Sequence, residues 1–355
     1  MQPLKLTAWH NTVMAVRMKD IARDLGVSVV TVSKVLRNHS DISPATRERV
    51  LKRMKELNYR PNLAARALVT GRTNMIGLIV PDLVHPFFAE VAKGLSKVLR
   101  KKGYGLVISS SEEDPELEQQ EIDQLLARRV DALIIASAQW TVESFRRIEE
   151  MKTPYVLIDR RFAGLAANFV GVDDEQVGAV ATEHLIEIGC QRIAHIRGPE
   201  LSTALGRLEG YRRTLTRHGL AMPPGYIVLG KSADDAADAS GYQAMRQLLR
   251  LNPRPDGVFC YNDPIGMGAL KAILEAGLRV PEDIAVIGCG NVHYAGLLRV
   301  PLSSIDQESA TIGERAAKLA LSLIESKDTV RPKTILLAPK LAVRDSTRKV
   351  ACAAK

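Results

Sequence analysis

The sequence predicts an α/β protein, with a small three-helix head followed by a large body built on parallel sheets. Three observations carry that prediction. Apolar residues in the first fifth of the chain recur at helical spacing in three short stretches. From Asn74 onward, short β-branched runs alternate with amphipathic helical segments. The excess positive charge lies entirely in the head. Residues 1–73 hold 14 Lys/Arg and 5 Asp/Glu, a net +9, so the other 35 basic (49 − 14) and 35 acidic (40 − 5) residues cancel. A basic head on a neutral body points to a polyanion at the head and a different partner at the body. Charge alone fits a merely solvated basic surface equally well.

Composition narrows the class. Hydrophobic content of 46% and charged content of 25% suit a globular protein. No apolar run reaches the roughly 18 residues of a membrane span. The first twenty residues lack the apolar core of a secretory signal, so a cytoplasmic protein is expected. Cys190, Cys260, Cys289 and Cys352 form no metal-type pair with each other or with a nearby histidine, and buried free thiols are the expectation.

In the head, "GVSVVTVSKVL" (residues 26–36) is rich in β-branched residues, which favour strands. Its spacing says otherwise. Ile21, Ala22 and Leu25 mark a first helix, and Gly26 supplies a turn residue tolerant of positive φ. Ser28 suits the N-cap of a second helix from Val29, with Val32, Val35 and Leu36 on one face. Ser43 then caps a third helix with Pro44 at its first position, and Val50, Met54 and Leu57 continue the inward stripe. Val29, Val30, Ser33, Lys34 and Arg37 face outward. Two exposed valines make sense against an apolar partner such as a thymine methyl, and Lys34 can donate to guanine in a major groove. Ser28, Ser33 and the helix N-terminus can hold phosphates.

The stretches "KDIARDLGVSVVTVSKVL", "SPATRERVLKRMKELNYRPN" and "AARAL" resemble the helix-turn-helix headpiece of the lactose-repressor (LacI/GalR) family of bacterial transcription regulators. The resemblance implies base contacts at Val29, Val30 and Lys34. Ser28, Thr31, Ser33 and Arg37 complete the expected headpiece contacts. It also implies a hinge helix over "NLAARAL", contacting DNA through Asn62, Ala65 and Leu68, with Leu68 wedged into a minor-groove base step. Seven residues alone do not hold a helix in water, so ordering on DNA is expected. The family pattern begins near "MKDIA", which makes Met14 or Met18 an alternative start to Met1.

The body reads as near-continuous apolar strands ("MIGLIV", "YGLVISS", "VDALIIAS", "PYVLID", "FVGVD", "CQRIAHI", "YIVL", "PDGVFC", "DIAVIG") separated by helices. That pattern means parallel sheets covered on both faces, and ten or so strands imply two α/β subdomains. Ligands bind beyond the C-terminal ends of such strands.

"IGLIVPDLVHPFFAEVAKGL", "VGVDDEQVGAVATEHLIEIG" and "NDPIGMGALKAILEAGLRVPEDIAVIG" are similar to the family's effector-binding core. The resemblance implies a two-lobed periplasmic-binding-protein-like fold crossed three times by the chain. It places Asp159, Arg160, Arg207 and Asn262 in the cleft, with Phe87, Phe88, Ala136 and Gln307 lining it. Two departures stand out. Gly290 occupies a position that is commonly acidic in sugar-binding members, and "GKSADDAADAS" lacks the aromatic that often stacks a sugar. Gly290 and Asn291, with His293 and Tyr294, are further candidates there.

The domains expected are a 1–17 extension, an 18–61 headpiece, a 62–73 hinge and linker, a 74–345 core and a 346–355 tail. Lobe 1 takes about 74–171 and 306–336, and lobe 2 about 172–305 and 337–345. The tail has no leucine heptad, so a dimer is expected. No catalytic motif, metal set or cofactor fingerprint survives, since the third glycine of G-x-G-x-x-G is missing after Gly288 and Gly290. The function expected is a dimeric, DNA-binding repressor of a pseudopalindromic operator. Its effector is expected to be a carbohydrate or derivative; the alternatives are a non-sugar or protein effector, or a sugar-binding module.

Overall fold

The computed structural model describes residues 16–36, 38–60, 67–68, 70–162, 164–230, 237–326 and 331–348. The chain divides into two compact units, Met1–Thr73 and Asn74–Lys355. Arg37, Asn62 and Ala65, expected at DNA, lie outside the described residues, as do Cys352 and most of the 1–17 extension.

Three helices build the first unit: α1 (Met18–Leu25), α2 (Val29–Leu36) and α3 (Pro44–Glu56). Gly26 ends α1 at φ 64°, a left-handed conformation that costs glycine little. The valine-rich stretch is helical because Ser28 caps it: its Oγ accepts from the Thr31 N–H at 3.0 Å. Ser43 does the same for α3, accepting from the Thr46 N–H at 3.2 Å. Ile21, Ala22, Val32, Val35, Val50 and Met54 form the core. Arg53 donates to Asp24 through Nη2 at 2.6 Å and ties α3 to α1.

The second unit has two lobes. Lobe 1 contains β1 (Met75–Val80), α4 (Pro86–Lys101), β2 (Gly105–Ser110), α5 (Pro115–Ala127), β3 (Ala132–Ile135), α6 (Glu143–Glu150), β4 (Tyr155–Ile158) and β5 (Asn168–Val172). Lobe 2 follows with α7 (Asp174–Glu187), β6 (Ile193–Arg197), α8 (Ser202–Arg217), β7 (Ile227–Leu229), α9 (Ala237–Leu248), β8 (Gly257–Cys260), α10 (Asp263–Glu275), β9 (Ala285–Cys289) and β10 (Ser303–Asp306). The chain returns to lobe 1 for α11 (Ser309–Glu325) and β11 (Thr334–Leu337), then ends in lobe 2 with β12 (Lys340–Ala342). The sheet orders are β11-β5-β4-β3-β1-β2 and β12-β10-β9-β8-β6-β7. All pairings are parallel except β12 on β10. Apolar clusters cover both faces of each sheet, which explains why the strands read as unbroken hydrophobic runs.

Three helix pairs meet backbone to backbone through glycines. A Cβ on Gly94 would lie 2.1 Å from the Ala310 oxygen, and one on Gly313 would lie 2.1 Å from that of Val91, joining α4 to α11. Gly178 and Gly210 join α7 to α8 at 2.0 Å each, and Gly241 and Gly268 join α9 to α10 at 2.1 and 1.8 Å.

The packed body extends past residue 345, where the tail was expected to begin at 346. Ser346 and Thr347 are fully buried. Ser346 Oγ donates to the Val286 carbonyl at 2.6 Å, and Thr347 Oγ1 bonds His184 Nε2 and Ser303 Oγ, both at 2.7 Å. Buried hydroxyls need such partners, so these residues are lobe 2 core. Cys190, Cys260 and Cys289 are buried and form no disulfide among the described residues. Among the described residues, no helix is long and apolar enough to cross a membrane.

Candidate functional site

In the first unit, the outward face of α2 starts with Val29 and Val30, 43% and 60% exposed beside the exposed cap Ser28. Thr31, Ser33 and Lys34 follow, partly buried. Lys34 is held in an ion pair with Asp41, across the loop between α2 and α3. That hydrogen bond lowers the Asp41 pKa. Arg47 of α3 braces the same loop, donating to Asn38 Oδ1 and the His39 carbonyl at 2.5 Å each. The face thus presents two apolar tips, hydroxyls and a cation paired with Asp41. Leu68 lies in a helical turn and is 82% exposed.

In the second unit, the C-terminal ends of both sheets face a cleft of ≈ 390 Å³. Phe87, Phe88, Asp159, Arg160, Arg207, Asn262 and Gln307 line it. So do Tyr294 and residues outside that expected set, among them His85, Glu113 and Tyr261. Phe87 and Phe88 meet edge to face, with ring centroids 5.0 Å apart at the start of α4.

Both arginines are already matched by protein groups. Arg160 makes a two-pronged contact with Glu113, at 2.8 and 2.6 Å, and also donates to the Ser137 carbonyl at 3.0 Å. Among the described residues its buried Nε has no hydrogen-bond partner, and it stands 3.7 Å from Asp159 Oδ2. Arg207 donates to Asp174 Oδ1 at 3.0 Å, the Tyr261 carbonyl at 2.7 Å and Gln307 Oε1 at 2.7 Å. Burial pushes the Asp174 carboxyl up to about 7 despite that pairing. Asp159 has φ 62° and accepts no hydrogen bond among the described residues, and burial raises its pKa as well. Glu118, fully buried, fixes the loop beneath Arg160 by accepting from Ser137 Oγ at 2.6 Å and the Ala138 N–H at 2.5 Å.

Four expected positions, Ala136, Gly290, Asn291 and His293, fall outside the lining. Ala136 is completely buried beyond the end of β3. Gly290 has φ 125°, a conformation that side chains rarely adopt, and a Cβ there would sit 3.5 Å from Asp263 Oδ2. Asn291 is engaged on both ends of its amide, donating to Asp306 at 3.0 Å and accepting from Arg344 at 2.5 Å. Residues 231–236, in the stretch that lacks an aromatic, lie outside the described residues.

Residues 17–62 match the model of bacterial regulatory proteins of the lacI family, and residues 182–347 match the periplasmic binding protein-like domain. The chain is also 33% identical over 339 residues to the HTH-type transcriptional repressor PurR of Haemophilus influenzae (strain PittEE), covering 94% of this chain and 99% of that protein. The chain belongs to the LacI family. It is 35% identical over 333 residues to the ribose operon repressor of Escherichia coli (strain K12), covering 93% and 99% of the two chains. Its fold matches the lac repressor dimer bound to operator and the anti-inducer ONPF, with TM-score 0.83, 28% identity and 94% and 99% coverage. This LacI-family chain is therefore a transcription regulator, with a DNA-binding helix-turn-helix region and a periplasmic-binding-protein-like body. The relatives named here are repressors rather than enzymes.

Proposed function

We propose that this protein is a cytoplasmic, non-enzymatic repressor that binds a pseudopalindromic operator as a dimer and is controlled by a small molecule held in the cleft. The observation that carries the DNA reading is the α2 face. Val29 and Val30 stand in solvent at a helix N-terminus, at a cost in helix propensity, on a unit with a net charge of +9. A thymine methyl buries those valines, Lys34 exchanges Asp41 for a base acceptor, and Ser28, Thr31, Ser33 and Arg37 hold the backbone. Asn62, Ala65 and Leu68 would then act in the minor groove, Leu68 as the wedge.

Effector control acts through the second unit. Asp159, Arg160, Phe87 and Phe88 come from lobe 1, while Arg207 and Asn262 come from lobe 2 and Gln307 from the crossing between them. Ala136 backs the wall, and Gly290 and Asn291 shape the loop after β9. The lobes already touch through the Arg161 N–H, which donates to Ser202 Oγ at 2.9 Å. A ligand that reorganises such contacts needs to shift the lobe equilibrium by only about 1–3 kcal/mol to regulate.

The test is selection of DNA from a random pool by the full chain, followed by affinity measurements over a salt series. The expected outcome is an inverted-repeat sequence whose log affinity falls linearly with log salt, because bound phosphates release counterions. No enriched sequence, or a flat salt response, overturns the DNA reading.

A further inference from the structure

Lys34 is the only charged side chain of α2, and it is already paired. Its Nζ donates to Asp41 Oδ2, on the loop between α2 and α3. That loop is pinned from α3. Asn38, at φ 56°, accepts from the Arg47 guanidinium through Oδ1, and the His39 carbonyl accepts from it too, at 2.5 Å each. The carboxylate of Asp41 is thus kept beside the Lys34 head, in solvent, with its side chain 53% exposed. An exposed pair of this kind contributes little to folding. Its sign is also the reverse of what a polyanion attracts. On a unit with a net charge of +9, an acidic group beside the groove-facing cation repels the phosphates that any DNA offers.

The two partners have different needs once the pair opens. Lys34 can donate to a phosphate oxygen or to guanine O6 and N7. Asp41, ionised, can only accept, and the donors that duplex DNA presents are base amino groups such as cytosine N4. Along the backbone alone, opening the pair exchanges one anion for another at Lys34 and leaves Asp41 facing phosphate. At base edges both halves find partners. The same pair therefore opens readily on bases and poorly on phosphates.

We infer that Asp41 is a specificity-determining residue, which acts through Lys34 by withholding that cation from phosphates and so weakens attachment to DNA that lacks the operator. This deepens the reading of α2 as the groove-facing helix and rests on it. Asp41 raises discrimination by lowering the affinity for wrong sites, and adds no attraction of its own to the backbone.

The experiment is fluorescence anisotropy of the full chain on two duplexes over a salt series. One is the inverted repeat selected from the random pool, and the other is a scrambled duplex of the same length and composition. Asp41→Asn is expected to bind the scrambled duplex more tightly than the parent does. Its salt slope there should be steeper by about 0.9, the value of one added phosphate contact. The ratio of operator to scrambled affinity is expected to fall about tenfold, within the worth of one good base contact. An unchanged ratio overturns the inference. Lys34→Ala supplies the second arm. In that background Asp41→Asn is expected to leave the ratio where it was, because no cation remains to be released. A fall as large as in the parent overturns the inference, since Asp41 would then act by its own charge alone. If Lys34→Ala changes neither operator affinity nor base preference, the groove reading of Lys34 falls and takes the inference with it. If Lys34→Ala weakens operator binding while Asp41→Asn changes nothing, the inference alone falls.

Discussion

In the head, six buried side chains hold three helices together while two valines on α2 remain in solvent. In the body, four apolar clusters close over two sheets, and even the phenylalanines at the cleft are 3% and 7% exposed. The charges differ in the same sense. The head carries unbalanced cations on its surface, whereas the body matches its buried guanidiniums with its own carboxylates. A small unit has little surface to bury and little stability to spare, so its recognition chemistry sits outside the core. A large unit can bury charged groups because neighbouring elements supply their partners. Exposed apolar tips therefore mark the partner-binding face in the head, and uncommitted polar groups mark it in the body.

The strongest way to break that contrast is to separate the units. A chain lacking residues 1–73 is expected to lose operator affinity by at least about 10³-fold, the gap between specific and non-specific binding, while its body melts cooperatively. Fluorescence anisotropy and calorimetry check the two halves of that statement. A more local break is Gly178→Ala. The added methyl would meet the Arg207 carbonyl at 2.0 Å, and forcing α7 from α8 is expected to cost about 3 kcal/mol of body stability in denaturant unfolding. The DNA contacts of the head should persist below the new transition.

Substitutions on α2 sharpen the comparison. Lys34→Ala should weaken operator binding by about 1–3 kcal/mol and Val30→Gln should change base preference in a repeated selection, each with stability within about 0.5 kcal/mol of the parent. The last effect is a matter of pH. Asp263 is buried and accepts from Ser304 Oγ at 2.6 Å and the Val292 N–H at 2.8 Å, yet burial pushes its pKa up to about 6. A carboxyl raised in the folded state holds its proton there more tightly than in the unfolded chain. Its contribution is complete below about pH 4 and is lost as pH rises toward about 6. Asp263→Asn should flatten that part of the stability profile.

Much of this was legible in the sequence, for identifiable reasons. Helical spacing outweighed β propensity at Val29–Leu36 because Ser28 and Gly26 punctuate the stretch locally. The family resemblance placed Asp159, Arg160, Arg207 and Asn262 in the cleft; Asp159 and Arg160 follow β4 and Asn262 follows β8, where such folds place their sites, whereas Arg207 lies inside α8. What escaped notice depends on tertiary pairing. Arg160 meets Glu113 across 47 positions, and Lys34 meets Asp41 only because Arg47 braces the loop between them. His85 caps α4 and meets Asn262 of the other lobe across 177 positions, a pairing that no local pattern shows. Gly290 read as a missing carboxylate, whereas its backbone conformation disfavours any side chain.

The buried Ser346 and Thr347 also set a timetable. Lobe 2 needs them to satisfy His184, Ser303 and Val286, so it is complete only when residue 348 has been synthesised. The first unit is finished by residue 73, which is 275 residues earlier (348 − 73). At roughly 5–20 residues per second, the DNA-facing unit spends on the order of 15–55 s folded on the ribosome before the unit that regulates it can close.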